Sequence, residues 1–337
     1  MSSPAVSVIV PTYNRQALLP RALDSVVAQT VDDWEIVLVD DGSTDGTEDV
    51  AARYRHQLKE RFIYIRQPNQ GSSSARNRGI DACSGRFVTF LDSDDEFLPA
   101  KLERQLALFD LRPDLGFVYS DYAFVDLDGI WHESAFDATH PIARAVPYET
   151  VGPGLCVCKG NLFDVLIRAY FISTIVGMVR REVLGTSIRF PVDQMFGEEW
   201  LFYLMVAKAC RAGFVDEPLS IYHYQRGSLS RTDKRRNARC YQNLLHAIHD
   251  TFDDLSGEQR RAVRRNLGRL GRQLGCSAYR AGRYADAFAH FAESFRYEPG
   301  MRTLYHMLEA AMRRLVAGNT SRPARQYRSQ EAYPAVR

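Results

Sequence analysis

Hydrophobic and polar positions along the first ninety residues switch between two periods. Val6-Ser-Val-Ile-Val10 is a short apolar run halted by Pro11, the pattern of a buried parallel strand. From Arg15 to Gln29, residues Leu18, Leu19, Ala22, Leu23, Val26 and Val27 recur at the spacing of an amphipathic helix. Strand runs follow at 35–39, 61–66 and 86–91, and helical patterns at 47–58 and 74–83. Strands alternating with helices predict an α/β fold, Rossmann-like, with a mainly parallel central sheet flanked by helices. Such sheets bind ligands outside the carboxyl ends of their strands. Three of those ends carry polar clusters: Thr12-Tyr13-Asn14, Asp40-Asp41-Gly42-Ser43 and Asp92-Ser93-Asp94-Asp95.

The pattern is less regular over 125–175, where Pro141, Pro147 and Gly152-Pro153-Gly154 predict loops and short elements. Residues 198–211 return to a helical period. Beyond about residue 237 the pattern is all-helical, and the stretch from Gly282 to Pro299 resembles the second helix of a tetratricopeptide repeat. A solenoid needs several such copies, so a helical appendage is the simpler expectation. The expected organisation is an α/β domain over 1–230, a helical C-terminal region over 231–320 and a polar, flexible tail over 321–337.

Composition narrows this only slightly. With 337 residues, 45% hydrophobic and 25% charged, the chain is globular rather than disordered or fibrous. Six scattered cysteines do not make a disulfide scaffold and suit a reducing cytoplasm. The most apolar stretch, 162–179, contains Asp164 and Arg168 and is a poor membrane span. The start of the sequence has neither a basic segment nor a signal core.

Charge changes the picture more. The formal net charge is +2, yet residues 1–230 hold 22 Lys+Arg against 31 Asp+Glu, and residues 231–337 hold 21 against 10. The halves are therefore −9 and +11, which argues against a nucleic-acid groove in the front half. The basic tail could meet anionic lipid, a phosphorylated carrier or the acidic half of its own chain; a solvated arginine-rich surface is the plainer alternative. Arg260, Arg261, Arg264, Arg265, Arg269 and Arg272 recur at helical spacing and could hold the chain peripherally against the inner face of an anionic membrane.

The candidate chemistry begins with Asp92, Asp94 and Asp95. Carboxylates crowded at the end of a buried strand repel one another unless a cation or a donor compensates, and a hard divalent metal bridging phosphates would do so. An aspartate-rich turn is the structural alternative. Asp40-Asp41 could accept from a base N–H, or could simply form a turn and helix cap. Arg76 and Arg78 follow a small-residue loop and could meet a phosphate or an acidic neighbour. Glu198-Glu199 opens the later helix, and at most one of the two faces a common crevice; a carboxylate near phosphate charge gains the raised pKa of a general base. His223 could approach a metal or phosphate, or be a satisfied structural histidine.

Taken in order, Val6 to Arg15, Val39 to Asp45, Ala75 to Gly79, Phe90 to Asp95, Arg180 to Glu182 and Gly197 to Glu199 resemble a family 2 glycosyltransferase with the GT-A fold, over roughly residues 4–230. The resemblance implies an inverting, metal-dependent transferase that uses a nucleotide-diphosphate sugar, most often UDP-linked. It implies Pro11 and Tyr13 against the base and ribose, Asp41 reading the base edge with Asp40 nearby, and Arg76 near the base or diphosphate. Asp92 and Ser93 would lie by the ribose and sugar, and Asp94, with Asp92 and His223, would hold Mg2+ or Mn2+. Glu199 would be the base, with Glu198 as runner-up because the family's usual Glu-Asp is Glu-Glu here. His223 and Gln225 stand where the family has arginine and histidine, which sets the loop's metal or phosphate role apart from the family pattern. The acceptor would be a hydroxyl of a saccharide, lipid-linked or protein substrate in polysaccharide, glycolipid or glycoprotein synthesis. A non-catalytic interaction protein with a decayed transferase domain and helical docking tail is the competing reading.

Overall fold

The computed structural model describes residues 3–194, 197–225 and 234–318. The side chains of 234–239 and 316–318 lie outside that description, as do the expected domain boundary at 230/231 and the expected tail at 321–337. By compactness the chain forms two units, Met1–Val263 and Arg264–Arg337.

The first unit opens with β1 (Val6–Thr12), α1 (Leu19–Val27), β2 (Trp34–Asp40), α2 (Thr47–Leu58), β3 (Phe62–Arg66), α3 (Ser72–Ala82) and β4 (Phe87–Phe90). These four strands are parallel, in the order β3-β2-β1-β4. Every residue of β1, β2 and β4 is buried, which is why they read as continuous apolar runs rather than alternating ones. β1 does not stop at Pro11 as its sequence suggests but continues through Thr12. Pairing between β1 and β4 ends at Ile9–Phe90, so the missing N–H of Pro11 falls where β4 has already left.

The rest of the sheet is mixed. After β5 (Glu96–Phe97) and α4 (Lys101–Leu111) come β6 (Leu115–Val125), β7 (Trp131–His132), α5 (Ala135–Ala138), β8 (Tyr148–Gly152), β9 (Leu155–Cys158), α6 (Phe163–Leu166), β10 (Gly177–Arg180), α7 (Arg181–Leu184), α8 (Glu198–Ala209) and β11 (Arg211–His223). β10 inserts antiparallel between β4 and β6, β11 pairs parallel with β6, and β9 and β8 complete the far edge. The parallel character foreseen from the first four strands therefore does not extend across the sheet. Two antiparallel steps restore the original direction, so β6 and β11 end on the same rim as β1, β2 and β4. That rim gathers Thr12, Asp40, Asp92 and His223.

An aromatic cluster ties the sheet to α8. Phe190 stacks on Phe202 at 3.9 Å between ring centroids, and Phe90 meets both edge-on at 5.0 and 5.6 Å. Trp200 is fully buried and donates its indole N–H to the Leu166 carbonyl at 2.8 Å. Gly197, just before α8, has φ +77°, a left-handed backbone that favours glycine, and a Cβ there would have to displace the Leu244 methyl 2.6 Å away. Leu244 belongs to α9 (Lys234–Thr251).

Helix α10 (Gly257–Arg280) crosses the division between units. The second unit continues with α11 (Tyr284–Tyr297) and α12 (Met301–Gly318) around Ala278, Ala287, Phe291 and Ala310. No described helix is long and apolar enough to cross a membrane, and all six cysteines are free thiols.

Candidate active site

The β1 and β2 rims are laced together by short polar side chains. Asn14 adopts φ +51°; its backbone N–H donates to Ser43 Oγ and its Oδ1 accepts from the Thr44 N–H. Arg15 and Gln16 donate their backbone N–H groups to Thr47 Oγ1 and Asp45 Oδ2. Much of the Asp40–Asp45 segment is thus a turn and its fastening, the structural alternative foreseen for it. Asp40 is fully buried, accepting from the Ser43 N–H at 2.8 Å and the Tyr64 hydroxyl at 2.9 Å. Asp41 accepts three N–H bonds, from Gln67 Nε2, the Gln70 backbone and the Gly71 backbone, at 2.8, 2.9 and 2.8 Å. A carboxylate has about four acceptor positions, so Asp41 retains one beyond the loop it holds. Pro11 is buried and Tyr13 partly exposed on the same rim.

That loop leads directly into α3. Ser72 Oγ donates to Glu198 Oε1 at 3.1 Å. One turn later, buried Arg76 pairs with Glu198 at 3.1 Å and Asp92 at 2.8 Å, its guanidinium 5.2 Å above the Phe190 ring. Burial alone would weaken this cation; the two carboxylates more than reverse that and hold it charged. Arg76 is therefore the rivet between the β4 rim and the start of α8. Arg78 is exposed.

The β4 rim is different in kind. Ser93 is buried, Asp94 is partly open and Asp95 is 1% exposed. Asp95 Oδ1 accepts from the His223 backbone N–H at 2.9 Å, while its Oδ2 is buried without a hydrogen-bond partner. Burial first, then the charges of Asp94 and Asp92, push the Asp95 carboxyl well above the usual range. Asp94 is raised by burial and by Asp92, although Arg15 lies 3.6 Å from its carboxylate and Arg21 donates to its carbonyl. The His223 ring is 2.6 Å from Glu96 Oε1, and burial followed by the charge of Arg21 lowers its pKa.

Among the described residues, no group of three or more His, Cys, Asp or Glu converges as a self-sufficient metal cage. What the β4 rim offers instead is negative charge in excess of its partners, with one orphaned carboxylate oxygen. Those features fit a divalent ion that takes one or two protein carboxylates and completes its shell with phosphate oxygens.

At the N-terminus of α8 the adjacent acids divide. Glu198 is the ion-paired one. Glu199 accepts from the Tyr170 hydroxyl at 2.8 Å and is raised to about 7, chiefly by burial and then by the charge of Glu198. Tyr122, Tyr170 and Tyr222 feel the charge of Glu199 or of Asp92, Asp94 and Asp95, which places these rings beside the acids. A path from Asp41 through Gly71, Ser72, Glu198 and Arg76 to Asp92 joins the β2-end acids, the start of α8 and the β4-end acids. A separate hollow, lined by Pro4, Ile80, Arg86, Arg181 and Arg189, lies by the amino ends of β1 and β4, away from them.

Sequence reading missed Tyr170, Glu96, Arg21 and the Gln67–Gln70 anchor. Tyr170 lies in the irregular stretch before β10, where no period marks which face a residue takes. Arg21 sits on α1 and reads as one more solvated charge of an amphipathic helix.

Comparison with known proteins agrees with this geometry. Residues 7–168 match the family model described as "Glycosyl transferase family 2". An uncharacterised glycosyltransferase of Haemophilus influenzae is 30% identical over 234 residues, 69% of this chain and 82% of that protein. Glycosyltransferase GlyA of Streptococcus pneumoniae is 28% identical over 74% of this chain, and the putative teichuronic acid biosynthesis glycosyltransferase TuaG of Bacillus subtilis is 39% identical over 37% of it. The matched stretches span only 34% of GlyA and 50% of TuaG. In structure, S. aureus TarS 1-349 in complex with UDP-GlcNAc superposes with a TM-score of 0.66 at 19% identity, over 92% of this chain and 88% of that one. The mannosyltransferase PcManGT of Pyrobaculum calidifontis, in complex with GDP-Man and Mn2+, gives 0.54 at 18% identity over 95% and 88%. With its rim of strand-end carboxylates on a GT-A fold, the chain belongs to glycosyltransferase family 2.

Proposed function

We propose that the protein transfers a sugar from a nucleotide-diphosphate sugar to an acceptor hydroxyl with inversion at the anomeric carbon. The observation that carries the reading is the placing of Glu199: a carboxyl held by the Tyr170 hydroxyl and pushed upward by burial and then by Glu198, at a helix start riveted by Arg76 to the β4 rim. A group that titrates near neutrality can take a proton in one step and release it in the next. Glu198 is spent on Arg76 and Ser72, which leaves Glu199 as the base.

In the proposed step, the Glu199 carboxylate accepts the proton of the acceptor hydroxyl. The freed oxygen forms its bond to the anomeric carbon from the face opposite the diphosphate. The sugar–phosphate bond breaks, and its electron pair leaves with the diphosphate. Asp94, with Asp92, is the pair suited to hold Mg2+ or Mn2+, and the chemistry that ion supplies is charge neutralisation on the leaving group. Pro11 and Tyr13 line the base and ribose, with the remaining acceptor position of Asp41 for a base N–H. Asp40 acts through the turn it braces, Ser93 and Asp92 lie by the sugar, and His223 supports Asp95 and Glu96 at the edge of the metal site. TarS bound to UDP-GlcNAc supports a UDP-linked donor, and the TuaG relationship supports an acceptor in surface-polymer synthesis.

The test is a donor panel with and without Mn2+, read as melting temperature and product formation. One nucleotide sugar should raise the melting temperature and be turned over, with the product's anomeric configuration inverted. Replacement of Asp94 by Ala should abolish Mn2+-stimulated turnover. Turnover that survives in that variant refutes the metal assignment, and retention of configuration refutes the single displacement.

A further inference from the structure

Helix α12 is apolar on two opposite sides. Its inner side packs in the core of the second unit through Ala310 and Met307, and Thr303 is buried there as well. Its outer side carries Met301, Tyr305, Leu308, Met312 and Leu315, exposed by 80, 61, 53, 61 and 73%. Their spacing alternates four and three residues, which keeps them on one stripe about 21 Å long at 1.5 Å per residue. Half-buried Leu304 and Ala311 widen the stripe along one edge. Isolated exposed apolar residues need no explanation, but a contiguous stripe of five large ones marks a surface meant to be covered.

Charge selects the cover. Residues 264–337 hold fourteen arginines, no lysine and five acids, a net +9. On α12 itself Arg302, Arg313 and Arg314 are exposed, Arg313 hydrogen-bonded to the Tyr279 side chain; on a helical projection Arg302 falls beyond one edge of the stripe and Arg314 beyond the other. The acid near an edge, Glu309, accepts from the Tyr279 hydroxyl at 2.6 Å. A second copy would bring two units of like charge together, which opposes its docking. The segment 319–337 contains no Leu, Ile, Met, Phe or Trp and is poor material to cover an apolar stripe.

We infer that the outer face of α12 docks the protein on an anionic bilayer. Its apolar side chains enter the headgroup–acyl boundary while the flanking arginines reach lipid phosphates. Each arginine held near an anionic leaflet strengthens binding by about fivefold. This contact is separate from the one expected of the six α10 arginines, three of which are engaged within the unit. There Arg264 donates to the Tyr297 and Arg296 carbonyls, Arg269 to Asn266 and Arg272 to Glu298, so their guanidinium groups already serve the unit's own packing.

The inference needs neither donor nor acceptor, so it stands or falls apart from the proposed activity. The experiment is flotation of the full chain with vesicles of phosphatidylcholine alone or mixed with phosphatidylglycerol, at low and high salt, with light scattering in parallel. Binding should favour the anionic vesicles by about tenfold or more and weaken with salt. The Leu308→Asp/Leu315→Asp variant should lose about tenfold or more while keeping its helical circular dichroism. If that variant unfolds, Leu308→Gln/Leu315→Gln replaces it. Arg302→Glu/Arg314→Glu should remove most of the anionic preference. Equal recovery on both vesicle types, or binding that the stripe variants leave intact, overturns the inference. So does a concentration-dependent dimer that Leu308→Asp abolishes without vesicle binding, which would identify the cover as a second copy.

Discussion

The β2 and β4 rims are both written as paired aspartates after a buried strand, yet they are opposite kinds of site. At the β2 rim every charge is answered: Asp40 by Ser43 and Tyr64, Asp41 by Gln67, Gln70 and Gly71. At the β4 rim burial first, and then the neighbouring acids, push the carboxyls of Asp94 and Asp95 upward, and a buried oxygen of Asp95 finds no donor. The first arrangement stabilises the fold by what it satisfies. The second keeps negative charge in excess of its arginine partners, which suits it to a ligand that brings positive charge. Acidic motifs are thus sorted by their unmet hydrogen bonds and charge rather than by their sequence.

The contrast can be broken most severely at Glu199. Glu199→Gln should lower kcat by about 10²- to 10⁴-fold, the usual worth of a general base, with the melting temperature unchanged or raised. A carboxyl held near 7 in the folded state favours folding while protonated, and that advantage fades as pH rises from the unfolded value through about 7. The substitution removes the penalty above that pH. Activity should take the opposite course, rising with pH through about 7 as the base deprotonates; kcat/KM measured across pH checks the sign.

Arg76→Met should be next in size. It leaves Asp92 and Glu198 facing each other without their cation, at a cost of about 3–5 kcal/mol in denaturant unfolding. A cost below about 1 kcal/mol would mean the ion pairs are not the rivet described.

Asn substitutions at Asp41 and Asp94 then separate the two rims directly. Asp41→Asn presents amide hydrogens to N–H donors and should lose about 1–3 kcal/mol of stability. Asp94→Asn relieves repulsion from Asp92, so stability should hold or rise while Mn2+-dependent turnover disappears. Matching losses of stability in the two variants would erase the distinction.

The smallest effect is expected of Tyr170→Phe. The lost hydrogen bond stabilised the Glu199 carboxylate, so the acidic limb of the pH–rate profile should move to higher pH. A merely structural role for Tyr170 would lower kcat without moving that limb.

The order of strands and helices through β4 was legible because each element carries its own period: buried parallel strands as unbroken apolar runs, helices as stripes. The helix expected at 74–83 begins at Ser72, and its first residue proves to reach Glu198. The mixed half of the sheet was not legible. β10 is four residues long, and its place between β4 and β6 depends on pairing partners nearly ninety and sixty residues earlier in the chain.

By itself the sequence determined which residue types stand at the strand ends, since local periodicity marks where a strand stops and which side chains come next. It also determined the split of charge between the two halves, which is a sum over residues. Only the tertiary structure decided that Asp41 is a loop anchor, that Arg76 claims Glu198 and leaves Glu199 to Tyr170, and that α12 turns a second apolar face outward. Those outcomes depend on burial and on partners distant in sequence. A carboxylate's pKa and a helix face's exposure are properties of what surrounds them, and the chain acquires those surroundings only by folding.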